Sequence, residues 1–274
     1  MEFWNAFLGY LIATLMITLN SWEIHILRKT RKKHVYEIIL LSLSTCDLIG
    51  GLFGFILVVI DTVHTFSKNC KLEYISSLSW FVWSIVKICW GWVSILHLIC
   101  LTLDRFWAVV APLHHMVNAS KKTFFVTIAL SWIIPISIVA VFVAMTLLKQ
   151  MPFEKMLHYL EGTYGFSVSS KVVLAADFIF IVSYASIIRV VVVSKSSTNQ
   201  HRHRKQSMKT LVLCVGTVLV FIFAKAPYVV VHLVHWNPPS WLYKVAIIMF
   251  PLDHILNSFI YLIQYYRRKP TAPT

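Results

Sequence analysis

The chain has 274 residues, 58% of them apolar and 13% charged, with ten Trp and a formal net charge of +14. An apolar share this far above the roughly one half of a soluble domain, gathered into long runs, excludes an ordinary globular enzyme. The positive charge suits a nucleic-acid binder by sign alone, but it collects on every second loop instead of on one face, which excludes that partner.

Seven apolar runs, near residues 3–27, 36–64, 76–110, 123–148, 165–194, 208–235 and 241–264, alternate with short polar loops. A helical crossing needs about 20 mostly apolar residues, because backbone groups in lipid must be satisfied within their own segment. The pattern predicts an all-α integral membrane protein, a seven-transmembrane helix bundle forming a single domain over 1–274 with no enzyme module appended. The loops after odd-numbered spans and the tail, from Arg28 to Lys33, Lys121 to Lys122, Arg189 to Lys209 and Arg267 to Lys269, hold most of the 25 Lys and Arg. The positive-inside rule puts those loops in the cytoplasm, so the N-terminus is expected outside, the C-terminus inside, and span one acts as its own signal-anchor. With so short an outer tail, ligands would enter between the helices.

Cys70 alone among the five Cys reaches the outer face, which leaves no pair for an extracellular disulfide. No His/Cys spacing suggests zinc.

Ionisable groups inside apolar spans are costly and point to function. Span two carries Asp47, span three Lys87 and the pair Asp104-Arg105, span six Lys225 and span seven Asp253. Counting 1.5 Å per residue from the inner basic residues puts Asp47 and Asp253 roughly 20 Å, and Lys225 roughly 24 Å, above the cytoplasmic belt. With Ser94, Asn20 and Asn257 they define an expected central polar layer. Lys87 and Arg105 are 18 residues apart, five whole turns, and so share one face of span three. Asp253, Asn257 and Tyr261 recur every four residues as a second polar stripe. Purely structural readings stay open for each: a snorkelling Asp104-Arg105 pair, a Lys225–Asp253 ion pair, and a Lys87 that pairs with Asp61 or snorkels.

Leu103-Asp104-Arg105-Phe106 at the inner end of span three, followed by Pro112-Leu113, resembles the Asp-Arg-Tyr motif of rhodopsin-like G-protein-coupled receptors. Asn20 resembles that family's Asn of span one, Leu43-Ser44-Thr45-Cys46-Asp47-Leu48 its Leu-Ala-x-x-Asp-Leu, Trp132 with Pro135 its span-four pair, and Tyr184 its inner Tyr of span five. Phe221 and Pro227 are similar to its span six, and Asn257-Ser258-Phe259-Ile260-Tyr261 to its Asn-Pro-x-x-Tyr. Each motif is weak alone, but they fall in order on seven spans. The resemblance implies a plasma-membrane receptor whose partners are a heterotrimeric G protein, membrane lipid and a small-molecule or peptide ligand. It assigns coupling and the activation switch to Asp104, Arg105, Phe106, Tyr184, Asn257 and Tyr261. It also implies a short amphipathic eighth helix over Gln264 to Lys269.

Departures from the pattern carry expectations of their own. The acidic partner of the Arg, at the start of span six, falls on Ser207, so the inner lock between spans three and six is missing and high basal activity is expected. The disulfide Cys of span three is Trp80, the span-six Trp is Lys225, and its Asn neighbour on span seven is Asp253, which suggests a buried Lys225–Asp253 pair. The family's sodium ion would need Asp47 and Ser94, and the Lys225 ammonium opposes it; no other cofactor or metal is expected. Lys87 stands where amine receptors carry an Asp, which points to an anionic ligand in a pocket of Lys87, Trp83, Trp90 and Tyr228. The alternatives are a non-signalling receptor homologue and an ion or proton transporter whose relay would draw on His97, His254 and Asp177.

Overall fold

A computed structural model describes residues 2–29, 35–67, 70–118, 121–150, 155–156, 168–193, 215–216, 218–231 and 240–268. The helices are α1 (Glu2–Lys29), α2 (Val35–Ser67), α3 (Cys70–Val110), α4 (Pro112–Asn118), α5 (Lys121–Leu148), α6 (Ser169–Val193), α7 (Val218–Val231), α8 (Ser240–Met249) and α9 (Leu252–Arg268). Five of them contain spans long and apolar enough to cross a membrane: Ala6–Lys29, Tyr36–Phe66, Ile75–Val110, Lys122–Leu148 and Ser169–Val190.

The seventh run differs from the continuous crossing that its composition suggested, and the sixth is described only in part. In the sixth, α7 supplies the described stretch Val218–Val231. The seventh is divided: α8 stops at Met249, Phe250 and Pro251 form a turn, and α9 begins at Leu252. Pro251 has no N–H to continue the ladder and its ring obstructs the preceding turn. Beyond Tyr261 the chain departs from expectation again. Gln264 to Arg268 continue α9 unbroken, because neither Pro nor Gly lies between Tyr261 and Arg268 to start a separate helix.

α3 is the axis of the assembly. It packs on α2, α5 and α6, while α1 packs on α2 and α9. Of the apolar window of α3, 61% is buried, against 22% for α1 and for α5. The α5 face with Phe125, Val126, Ile133 and Val141 is exposed, as lipid-facing positions are. The C-terminal end of α3 leads through Ala111 into α4, where Pro112 takes the first helical position, at which a missing N–H costs nothing.

Lipid tails are as apolar as Leu, so close packing rather than hydrophobic exclusion holds such helices together. Below the central layer Leu98, Leu101, Phe180, Ile187 and Phe221 are at most 1% exposed, with the Phe180 and Phe221 rings edge to face at 5.7 Å. At the α1–α2–α3 junction small residues make the approach possible. A Cβ on Gly50 would lie 2.7 Å from the Trp90 ring, and one on Gly51 would lie 3.1 Å from Met16.

Candidate functional site

At the C-terminal end of α3, Asp104 is 3% exposed. Arg105 donates Nε to its Oδ2 at 2.8 Å, and Nη2 bonds the same oxygen. The other carboxylate oxygen lies 3.0 Å from His115 Nε2, carried there by α4. The Arg105 guanidinium also sits 5.0 Å above the Tyr36 ring at the start of α2, a cation–π contact. Arg105 is thus held by Asp104 on α3 and Tyr36 on α2, while α4 anchors the Asp104 carboxylate. Phe106 packs partly buried against the inner core, and Tyr184 and Tyr261 are each 7% exposed within it. Ser207, and the basic loop from Lys195 to Lys209, lie outside the described residues.

Lys225 and Asp253 form the pivot of the central layer. Lys225, 2% exposed, donates to Asp253 Oδ1 at 3.1 Å and to the Phe250 carbonyl at 2.8 Å, with its Nζ 3.6 Å from the centre of the Phe250 ring. The break at Pro251 explains this arrangement. It exposes the C-terminal carbonyls of α8 and the N-terminus of α9 at one point, and an ammonium suits the first as a carboxylate in the first turn suits the second.

Asp47 is 1% exposed and its Oδ1 accepts from Trp90 Nε1 at 3.0 Å and from His254 Nδ1 at 2.7 Å. His254 lies against Trp90, ring centroids 4.0 Å apart, and its Nε2 is 3.3 Å from Asp253 Oδ1. One imidazole therefore stands between two carboxylates, bonded to Asp47 on α2, while its Nε2 has no hydrogen-bond partner among the described residues. On α1, Asn20 donates to the Met16 carbonyl at 2.8 Å and accepts from Ser258 at 2.7 Å. Ser258 replaces the Pro of the resembled motif: α9 stays straight there, and the hydroxyl fastens it to α1. Ser94 is 1% exposed, and its hydroxyl has no partner among the described residues.

Beside this layer His97 Nδ1 is 2.7 Å from the Val93 carbonyl and Nε2 is 2.8 Å from Ser42 Oγ, which also accepts from Trp132 Nε1 at 3.0 Å. A carbonyl only accepts, so Nδ1 carries the hydrogen and Ser42 donates to Nε2. The network fixes the His97 ring between the Val93 carbonyl and Ser42.

Away from the Asp104-Arg105 end, Lys87 and Trp83 are partly buried, and Tyr228 is 6% exposed with its ring 5.7 Å from that of Phe250. Trp90 belongs with Asp47, its ring 4% exposed. Trp83 lies 6.3 Å from it. Trp80, the position of the resembled disulfide Cys, donates to Asp61 at 3.4 Å.

Three contributors escaped the sequence reading. His115 and Tyr36 touch the Asp104-Arg105 pair from separate elements, and no spacing links them to it. Glu23 is different: it is 2% exposed, three residues after Asn20 on the same face, and an acid inside the first apolar run was a visible signal. It lines a small polar cavity with Ser44, Asp47, Asn257, Ser258 and Tyr261, with room for about one water molecule. Among the described residues no group of three or more His, Cys, Asp or Glu could hold a metal ion.

A multi-pass helical bundle with an Asp-Arg pair at one end of its axial helix and a buried acid–base layer at mid-depth defines a membrane receptor scaffold. Residues 23–261 match the family model of the seven-transmembrane receptors of the rhodopsin family. The chain belongs to that family. It is 32% identical to the 5-hydroxytryptamine receptor 1B of Homo sapiens over 139 residues, 49% of this chain and 34% of that receptor. With the proteinase-activated receptor 2 of Homo sapiens it shares 25% identity over 252 residues, 85% of this chain and 61% of the relative. The octopamine receptor beta-2R of Chilo suppressalis is 39% identical over 57 residues, 21% of this chain and 14% of that receptor. The matches thus cover between one seventh and about three fifths of these relatives' lengths. The family and these relatives are receptors, not enzymes.

Proposed function

We propose that this chain is a plasma-membrane receptor, N-terminus outside, that turns ligand binding among its outer helix ends into an opening of the inner face for a heterotrimeric G protein. The observation that carries this reading is Arg105: among the described residues it is held by neighbours within reach of release, the Asp104 carboxylate and the Tyr36 ring. With Ser207 in place of an acid, span six supplies no counter-charge at that position, and basal activity is high. The pocket of Lys87, Trp83 and Tyr228 takes a ligand bearing an anionic group, since a half-buried ammonium rewards a carboxylate and repels an amine. The basic loop from Lys195 to Lys209 meets the G protein or anionic lipid.

A G-protein activation assay in transfected cells, with surface expression verified, tests this. Signal above mock without added ligand, abolished by Arg105→Ala, is the expected result. Equal signal in mock, wild type and R105A sinks the reading. One observation favours a second reading, a non-signalling homologue: Lys225 ties α7 to both sides of the Pro251 break and so restrains the movement that opening the inner face needs. Signal absent from wild type but restored by Lys225→Met would support that alternative.

A further inference from the structure

The position from which span six would hold Arg105 with an acid is Ser207 in this chain. An acid is nevertheless joined to Arg105 from another helix. Glu37 lies in the first turn of α2, next to Tyr36, and the receptor reading gives it no task.

Burial is the first observation. Glu37 is 8% and Tyr36 7% exposed, and a Glu is seldom so buried without a partner. The Tyr36 hydroxyl supplies one, donating to Glu37 Oε1 at 3.3 Å. The second is the ring. Its edge packs into the core cluster of Leu40, Leu43 and Leu101, and its face lies 5.0 Å below the Arg105 guanidinium. A phenol that donates to a carboxylate is richer in electrons, so its face attracts a cation more strongly. The Arg105 side chain is only 17% exposed, which limits how far water weakens that attraction.

The third observation is direction. Asp104 sits on the same helix as Arg105 and is fixed from its other side by His115. Its bond to Arg105 therefore ties α3 to itself. Among the described residues the Tyr36 ring is the contact that carries Arg105 across to a neighbouring crossing.

We propose that Glu37, acting through Tyr36, is the acid that holds Arg105: a latch between α2 and α3 in place of one between spans three and six. Both are positioning residues. The consequence for signalling rests on the receptor reading, whereas the hold itself does not.

Basal G-protein signal at equal surface expression tests the consequence. Tyr36→Leu, which keeps apolar bulk without a ring face, is expected to raise it several-fold, and Tyr36→Trp, bulkier but with a face, to raise it less. Tyr36→Phe and Glu37→Leu each remove the hydroxyl–carboxylate bond, and each should raise signal by roughly two- to tenfold. Together they should do no more than either alone. These milder variants serve if Y36L does not reach the surface. Nuclear magnetic resonance of the arginine-labelled chain in lipid nanodiscs tests the hold. The Arg105 side-chain resonance, identified by its loss in Arg105→Lys, should be displaced by the Tyr36 ring current and return in Y36L.

The proposal is overturned if Y36L signals no more than wild type, or if Y36W signals more than Y36L, since packing alone would then be at work. It is equally overturned if the effects of Y36F and E37L multiply, because Glu37 would then serve only the N-terminus of α2. If no variant signals, the receptor reading fails and the resonance alone decides: its return in Y36L upholds the hold, and an unmoved resonance removes it.

Discussion

Neutralising one partner of the Lys225–Asp253 pair should cost more than removing both. Each side chain is at most 2% exposed, so among the described residues Asp253→Asn leaves an ammonium with a backbone carbonyl and an aromatic ring but no carboxylate in direct contact, and Lys225→Met leaves Asp253 with the His254 ring as its neighbour. Breaking a buried pair in this way costs about 3–5 kcal/mol, whereas exchanging both charges for neutral groups of similar volume is often neutral or stabilising. At roughly 2–4 °C per kcal/mol for a chain of this size, each single variant should unfold on the order of 10 °C earlier. The double variant should recover most of that loss. Thermal unfolding of the four proteins in nanodiscs closes the double-mutant cycle. Singles that unfold with wild type, or a double variant that falls by the sum of the two singles, would refute the coupling and leave Lys225 a solvated side chain.

Three further expectations follow from the geometry. Gly50→Ala places a Cβ 2.7 Å from the Trp90 ring; a rigid indole has to move, its bond to Asp47 breaks, and stability falls by about 1–3 kcal/mol, whereas Gly91→Ala, 3.6 Å from the tip of Phe250, should unfold with wild type. His115→Ala removes the bond that fixes the far oxygen of Asp104, and a hydrogen bond to a charged group, about 1.5 kcal/mol, corresponds to roughly tenfold in population, so basal G-protein signal should rise several-fold at equal surface expression; no rise would assign His115 to packing only. Lys87→Ala should cut the potency of any carboxylate agonist at least tenfold while sparing an uncharged one, and equal losses for both would remove the anionic pocket.

The central layer was legible because charge in an apolar run is rare and helical rise converts sequence position into depth. Placing Asp47, Lys225 and Asp253 in one layer needed only counting, and the contact of Lys225 with Asp253 was what the resemblance implied, since the two stand where the family's span-six Trp and its span-seven neighbour stand. What that counting missed depends on rotation and bending. Trp90 lies one turn from Lys87 and reads as a pocket wall, yet Gly50 on α2 opens the gap through which its indole reaches Asp47. His254 looks like one more His until the Pro251 break turns α9 so that its imidazole stands between Asp47 and Asp253. Seven equal crossings were the natural reading of seven apolar runs, because hydropathy does not register the missing N–H of one proline. That break brings a helix C-terminus and a helix N-terminus to one point at mid-depth, and Lys225 and Asp253 are the charges that such a point requires. The same substitution pattern that makes the chain a divergent receptor is therefore internally consistent: Ser258 in place of a proline keeps α9 straight, Pro251 supplies the bend instead, and the ion pair secures the bend from the neighbouring helix.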